Sequence, residues 1–380
     1  MISSNRSPSA LYHPSYLSRV LAFLQYIHVD FTLLLFISFI CCAGLIVLYS
    51  ASSQSLPMIE NQVGHYLVGF GIMLTLAQIS PVSLQRTALP IYLFGFSLLV
   101  VVLLFGHIGK GAQRWLNLGL VHIQPSEIMK LAIPMLLAWY YSKIHLPITT
   151  RSLLLALPII FIPAFLTAKQ PDLGTAIVLT IAGASVLFFA GLSKRIMTAA
   201  FTLLAACIPF AWYILHDYQR QRILTFLNPE RDPLGKGYHI IQSKIAIGSG
   251  GIFGKGWLNG TQSHLHFLPE HTTDFIFAVC GEEFGFLGGI ILITLYMLVF
   301  LRGLSITLHA QDTFSRLLAG SITFTFFVSF FTNIGMVTGI LPVVGIPLPL
   351  ISYGGSSMIT LMASFGILMS IQTHRKLVTA

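Results

Sequence analysis

Ten apolar stretches, each about 15 to 25 residues long and set off by Gly, Pro or charge, run along the chain. They fall at 31–49, 63–80, 88–106, 126–142, 152–168, 173–191, 196–215, 274–301, 314–338 and 348–371. A water-soluble helix needs a polar face, yet Phe31 to Tyr49 contains no Asp, Glu, Lys, Arg or His, and Phe275 to Leu301 contains only Glu282 and Glu283. The pattern predicts an all-α, polytopic membrane bundle of about ten spans. Pro158 and Pro163 mark the fifth as the one where a helix would bend. The long polar interval at about 217–273 predicts a large loop, and 1–30 and 372–380 read as tails around one membrane domain at 31–371.

Composition agrees: the 380 residues are 55% hydrophobic and 9% charged, far from the roughly 25% charged residues of soluble domains. The four cysteines, Cys41, Cys42, Cys207 and Cys280, lie in or beside apolar segments without metal-ligand spacing, so neither a disulfide nor a zinc site is expected. The first apolar run lacks a small-residue cleavage site after it and reads as a retained helix.

Ten spans place both ends on one side, and basic residues tell which side. On the face that holds the termini lie Arg6, Arg19, Arg86, Lys143, Arg151, Lys194, Arg195, Arg302, Arg316, Arg375 and Lys376, 11 of the 21 Lys and Arg. That face is cytoplasmic by the positive-inside rule. On the other face, 50–62 and 339–347 carry none, but Lys110, Arg114, Lys169, Arg220, Arg222, Arg231, Lys236, Lys244 and Lys255 depart from the rule. A long translocated loop escapes it, and cations gathered beside a Gly-rich segment would suit an anionic head group, phosphate above all.

Ionisable groups at membrane depth are costly, so each is a candidate for function. Glu127 and Lys130 are three apart and share a helix face, as an ion pair or as part of a site. Asp172, in Lys169-Gln170-Pro171-Asp172-Leu173-Gly174-Thr175, is placed to cap a helix. Asp274 ends the long loop where polar chain enters lipid; it is either another N-cap or a partly solvated base working near neutrality. One of Glu282 and Glu283 is expected to meet a cation from another span.

Two familiar motifs fail. Gly248 to Gly256 is glycine-rich, but a phosphate-cradling P-loop would need Gly at Ser249 and Ser or Thr at Gly256. His264, His266 and His271 lack zinc-protease spacing.

Six segments in order resemble the SEDS family (shape, elongation, division and sporulation). They are Gly111 to Leu116, Gln124 to Lys130, Lys169 to Thr175, Gly250 to Gly256, Pro269 to Phe277, and Pro349 to Ser357. Asn333 to Gly345 is closer to the rod-shape branch than to the division branch. The resemblance implies a peptidoglycan glycosyltransferase of the bacterial inner membrane that polymerises lipid II on the periplasmic side. It would act with a class B penicillin-binding protein and other elongation-complex membrane proteins, and with no nucleic acid. It maps the family's essential acid to Asp274 and an important Trp to Trp115. The family commonly has His-Thr before that acid; here Thr272-Thr273 precede it and His271 sits one place earlier.

The expected mechanism makes Asp274 the base. Arg114, Trp115, Glu127, Lys130, Lys169, Asp172 and Lys255 are the expected substrate-binding set, Arg220 or Arg222 aiding the cations, and a divalent ion, Mg or Mn, at Glu127 or Asp274 is left open. Trp115 is read either as a sugar-stacking residue or as an interfacial belt residue, and Ser352 to Ser357 as a break in the tenth span. Three rival readings stand beside this one: a lipid II flippase or transporter, a division-specific polymerase of the same family, and a scaffold that only docks the penicillin-binding protein.

Overall fold

The computed structural model describes residues 27–109, 112–117, 122–144, 146–214, 217–229, 237–264 and 270–375. A helix stands at each of the ten predicted places: α1 (Phe31–Ala51), α2 (Leu56–Ala77), α3 (Pro81–Phe105), α4 (Pro125–Ser142), α5 (Thr150–Lys169), α6 (Leu173–Phe189), α7 (Lys194–Ile214), α11 (Ile276–Leu308), α12 (Thr313–Val337) and α13 (Gly355–Thr373). Six of them, α1, α3, α5, α11, α12 and α13, are long and apolar enough to cross a membrane, and α6 is a shorter apolar helix. Within the long loop lie α8 (Asp217–Leu227), α9 (Tyr238–Ser249) and α10 (Thr261–His264).

Three departures from the expected pattern have local causes. Pro57 starts α2 seven residues before the apolar run does, and carries Glu60 into the helix. The tenth apolar stretch is only partly helical: 348–354 is irregular, and α13 begins at Gly355. The segment after α3 folds into three short antiparallel strands, β1 (His107–Gly109), β2 (Ala112–Asn117) and β3 (His122–Ile123), with His107 opposite Trp115 and Leu116 opposite Ile123.

Helix α5 runs through both of its prolines. Pro163 has no N–H for the carbonyl of Ile159, and the Tyr92 hydroxyl donates to that carbonyl from α3 instead (3.1 Å).

The break in α11 is handled differently. At Gly285 the backbone turns to φ 66°, ψ −161°, so Glu282 and Glu283 lose the helical donors of Phe286 and Leu287. The glycine-rich loop supplies all four missing partners. Lys255 N–H and Gly256 N–H donate to the Glu282 and Glu283 carbonyls, both at 3.0 Å, while Phe286 N–H and Leu287 N–H donate to Gly251 O (2.9 Å) and Ile252 O (3.1 Å). The loop is thus spliced, main chain to main chain, into the interrupted helix. The Glu282 carboxylate, wholly buried, takes Lys255 Nζ at 2.6 Å and the backbone N–H of Thr261 at 2.9 Å, and Glu283 accepts from the Ser50 hydroxyl of α1. One of the two glutamates does meet a cation, but it comes from the glycine-rich loop rather than from another span, because that loop is what fills the break in α11.

Irregular backbone at 345–354 is likewise held by four side chains from three helices, α2, α11 and α12. Tyr66 Oη donates to Leu350 O (2.6 Å), Tyr296 Oη to Pro349 O (2.5 Å), Asn333 Nδ2 to Ile346 O (2.8 Å) and Gln62 Nε2 to Ser352 O (3.4 Å). All four side chains are buried, so the segment is a fixed wall rather than a free loop.

Candidate active site at the end of the long loop

That wall positions the segment carrying Asp274. Ser352 Oγ donates to Thr273 O (2.5 Å), Tyr353 N–H donates to Thr272 O (3.0 Å), and Asn333 Nδ2 shares its protons between Asp274 O (2.9 Å) and Ile346 O. Each of these four bonds is accepted by a main-chain carbonyl. Asp274 stands one residue before the cap position of α11, which is Phe275, so it is not the N-cap residue. Gly345, at φ +78°, lies so close that a Cβ there would sit 3.5 Å from Asp274 Oδ2.

Asp274 faces a cavity of about 480 Å³, also lined by Arg114, Trp115, Gln124, Glu127, Lys130, Asp172, Glu270 and the start of α13. Arg114 and Trp115 come from β2, half-buried. Arg114 donates to the carbonyls of Gln170 (Nε, 3.4 Å) and Pro171, and its Nε is 3.8 Å from Asp172 Oδ2. Asp172 also caps α6 through Thr175 N–H (3.1 Å) and accepts from Gln124 Nε2 (3.0 Å). It is thus cap and cavity wall together. Lys130 Nζ pairs with Glu127 Oε1 at 2.6 Å, one turn into α4.

Of the residues predicted from sequence, Asp274, Arg114, Trp115, Glu127, Lys130 and Asp172 are brought together. Lys169 and Lys255 are not: Lys169 Nζ lies over the Phe165 ring, 5.0 Å from its centre, and Lys255 is engaged with Glu282 and with Thr261 Oγ1 (2.8 Å). Arg220 donates to Tyr213 O (2.7 Å). Lys110, Arg231, Lys236, Lys376 and His266, and the side chains of Arg222 and His264, lie outside the described residues.

The charge balance differs from the expected cluster of cations. Among the described residues, two cations and four carboxylates line the cavity, so an anionic ligand must share Arg114 and Lys130 with Asp172 and Glu127. No group of three or more His, Cys, Asp or Glu placed to hold a metal occurs among the described residues, and no step below runs through one.

Sequence reasoning missed Glu270, Gln124, Asn333 and Gly345. Asn333 had a signal, an amide inside an apolar run, where a polar group is retained only if it bonds. Asn333→Ala should leave the carbonyls of Asp274 and Ile346 without their donor. We expect turnover to fall about tenfold or more from a displacement on the order of 1 Å, with the concentration dependence on substrate little changed. A kcat within twofold of wild type, read in a polymerisation assay, would dismiss this role.

Comparison with known proteins closes the case for kinship. Residues 31–377 match the model of the FtsW, RodA and SpoVE family, described as cell cycle protein. The peptidoglycan glycosyltransferase MrdB of Escherichia coli K12 is 53% identical over 354 residues, covering 93% of this chain and 96% of MrdB. A chain from a structure on coordination of polymerization and crosslinking by a peptidoglycan synthase complex superposes with a TM-score of 0.80 at 32% identity, covering 91% of this chain and 99% of that one. The crystal structure of the rod shape determining protein RodA from Thermus thermophilus gives 0.69 at 27% identity, covering 90% of this chain and 96% of RodA. Coverage of this extent, over the same bundle and the segments that build the cavity, means that the chain belongs to the FtsW, RodA and SpoVE family of cell cycle proteins.

Proposed function

We propose that the chain is a peptidoglycan glycosyltransferase of the rod-shape type, polymerising lipid II at the outer face of the inner membrane with Asp274 as base. The observation that carries this reading is the carboxylate of Asp274 in a cavity beside Trp115, Arg114 and Lys130, its segment held through the main-chain carbonyls of Thr273 and Asp274. The relationship to MrdB supports the activity, and the likeness to a chain of a peptidoglycan synthase complex supports a class B penicillin-binding protein as partner.

The reaction forms one bond and breaks one. The 4-hydroxyl oxygen of the acceptor N-acetylglucosamine attacks the anomeric carbon of the donor N-acetylmuramic acid, and its proton passes to Asp274. The bond from that carbon to phosphate oxygen breaks, and the electron pair leaves with undecaprenyl pyrophosphate. An α-linked donor giving a β-1,4 link requires inversion, hence a base on the attacking side and charge stabilisation on the leaving side. Arg114 and Lys130 fill the second role, exchanging part of their bonding to Asp172 and Glu127 for the diphosphate as its charge develops. Trp115 lines the same cavity and offers a sugar-stacking face.

Ten spans with both ends in the cytoplasm, tails at 1–30 and 372–380 and the 217–273 loop outside would put this cavity on the periplasmic side. The distribution of Lys and Arg supports that orientation.

The rival flippase is separated by assaying purified protein in detergent, where no bilayer exists to cross. With its partner, the wild-type protein should convert lipid II to glycan strands there, and the absence of polymer would reject the proposal. Arg114→Lys keeps the charge but loses the planar fork. It should raise the lipid II concentration for half-maximal rate by about tenfold, a loss of roughly 1.4 kcal/mol. An unchanged concentration dependence would remove Arg114 from diphosphate binding.

A further inference from the structure

Asp274 and Glu270 line not one cavity but two. The second, about 230 Å³, is completed by Thr225 of α8, His239 and Ile240 of α9, Phe275 and Val343, and among the described residues shares only the two carboxylates with the first. Its chemistry is different. No Lys or Arg is among the described residues that line it, and those residues supply none of the charged donors that hold a phosphate. It offers instead a hydroxyl, an imidazole and two carboxylates among apolar side chains. That combination suits a neutral, hydroxyl-rich ligand, whose O–H groups can donate to carboxylates and exchange bonds with imidazole and threonine.

His239 is the informative member. Its ring stacks on Phe275, 5.8 Å between centres and 17° between planes, one residue from Asp274. Helix α9 is anchored beneath it by Ser243 Oγ, which donates to Val337 O at 2.9 Å. The Nδ1 atom of His239 is buried without a hydrogen-bond partner, a costly state that a ligand in the cavity would relieve. Burial pushes the imidazole below its usual pKa, against the pull of Glu270, so near neutrality the ring is uncharged and has one donor and one acceptor nitrogen.

We propose that this second cavity is the subsite for the acceptor's N-acetylated sugar, with His239 and Thr225 binding it and presenting its 4-hydroxyl to Asp274. The proposal rests on the glycosyltransferase reading above. It partitions the substrates by the described lining: the donor's diphosphate goes to the cavity with Arg114 and Lys130, and the phosphate-free end of the acceptor to the one with His239 and Thr225. Asp274, common to both, then stands where the new bond forms.

The test uses the full chain with its partner in detergent, polymerising lipid II against two soluble probes. One is the disaccharide-peptide of lipid II stripped of lipid and phosphate; the other is inorganic pyrophosphate. The disaccharide-peptide should inhibit the wild type. His239→Ala should weaken that inhibition tenfold or more while leaving pyrophosphate inhibition within twofold, and Thr225→Val should act in the same direction. His239→Gln, which retains a donor and an acceptor, should recover most of the loss. The subsite is overturned if the disaccharide-peptide does not inhibit the wild type at millimolar concentration. It is equally overturned if His239→Ala and Thr225→Val leave its inhibition unchanged, or if both probes weaken together, as general misfolding would cause. If Asp274→Asn still polymerises, the glycosyltransferase mechanism itself fails; if that variant is inactive and the disaccharide-peptide remains indifferent to His239, only the subsite fails.

Discussion

Asp274→Asn should lower glycan polymerisation by about 10² to 10⁴-fold, the range contributed by a positioned general base, while the protein still inserts, folds and binds its partner. The amide has the shape of the carboxylate but cannot accept the proton of the attacking hydroxyl. The structure explains why so large a functional loss should come without a structural one. Ser352, Tyr353 and Asn333 hold this segment through the carbonyls of Thr272, Thr273 and Asp274, and none of those bonds changes with the side chain. The measurement is lipid II consumption by purified wild type and variant, alongside their melting temperatures. A variant within tenfold of wild type would move the base elsewhere, with Glu270, the other carboxylate common to both cavities, as the next group to replace.

Gly254→Ala should cost the fold more than about 4 kcal/mol, in the class reserved for severe overpacking or backbone strain. Gly254 lies at φ +81°, and a Cβ there would stand 2.0 Å from Glu283 O and 2.7 Å from Gly285 N. Neither neighbour can yield, because both are main chain at the point where the glycine-rich loop replaces the missing hydrogen bonds of α11. Pushing them apart would leave the carbonyls and N–H groups of 282–287 unpaired at membrane depth. Gly248→Ala is the control: nothing lies within 4 Å of its Cβ, and Ala favours the helix by up to about 1 kcal/mol over Gly. We expect low membrane yield and a collapsed melting transition for Gly254→Ala, and wild-type behaviour or better for Gly248→Ala. Equal stability of the two variants would refute the splice as a structural element.

The glycine-rich segment also shows how sequence and structure divide the information. As a string it fails the spacing of a phosphate-binding loop, and that negative was sound, but nothing in the string reveals its partner. Its use depends on a helix interrupted 30 residues later at Gly285. The same holds for Lys255, a reasonable phosphate ligand by charge alone until Glu282 is found against it at 2.6 Å. Asn333 was visible as a polar residue in an apolar run, but its two carbonyl targets were not.

The ten helices were legible because a helix satisfies its own backbone hydrogen bonds within four residues, and in lipid its length and apolarity are local properties of the chain. The pairs Glu127 with Lys130 and Asp172 with Thr175 were legible for the same reason: three positions apart on a helix means neighbours in space. Residues distant in sequence meet only through packing. Ser50 reaches Glu283 across 233 positions, Tyr66 reaches the Leu350 carbonyl across 284, and Arg114 of β2 reaches Asp172 in the turn between α5 and α6. Such contacts repair irregular backbone or neutralise charge where water is scarce, and no periodicity encodes the partner. The sequence alone therefore determined the helices, the Asp172 cap and the acid at the loop's end. Which cations face that acid, what holds it in place, and that it looks into two cavities of opposite chemistry were decided only when the bundle closed, because each is a relation between surfaces on different helices.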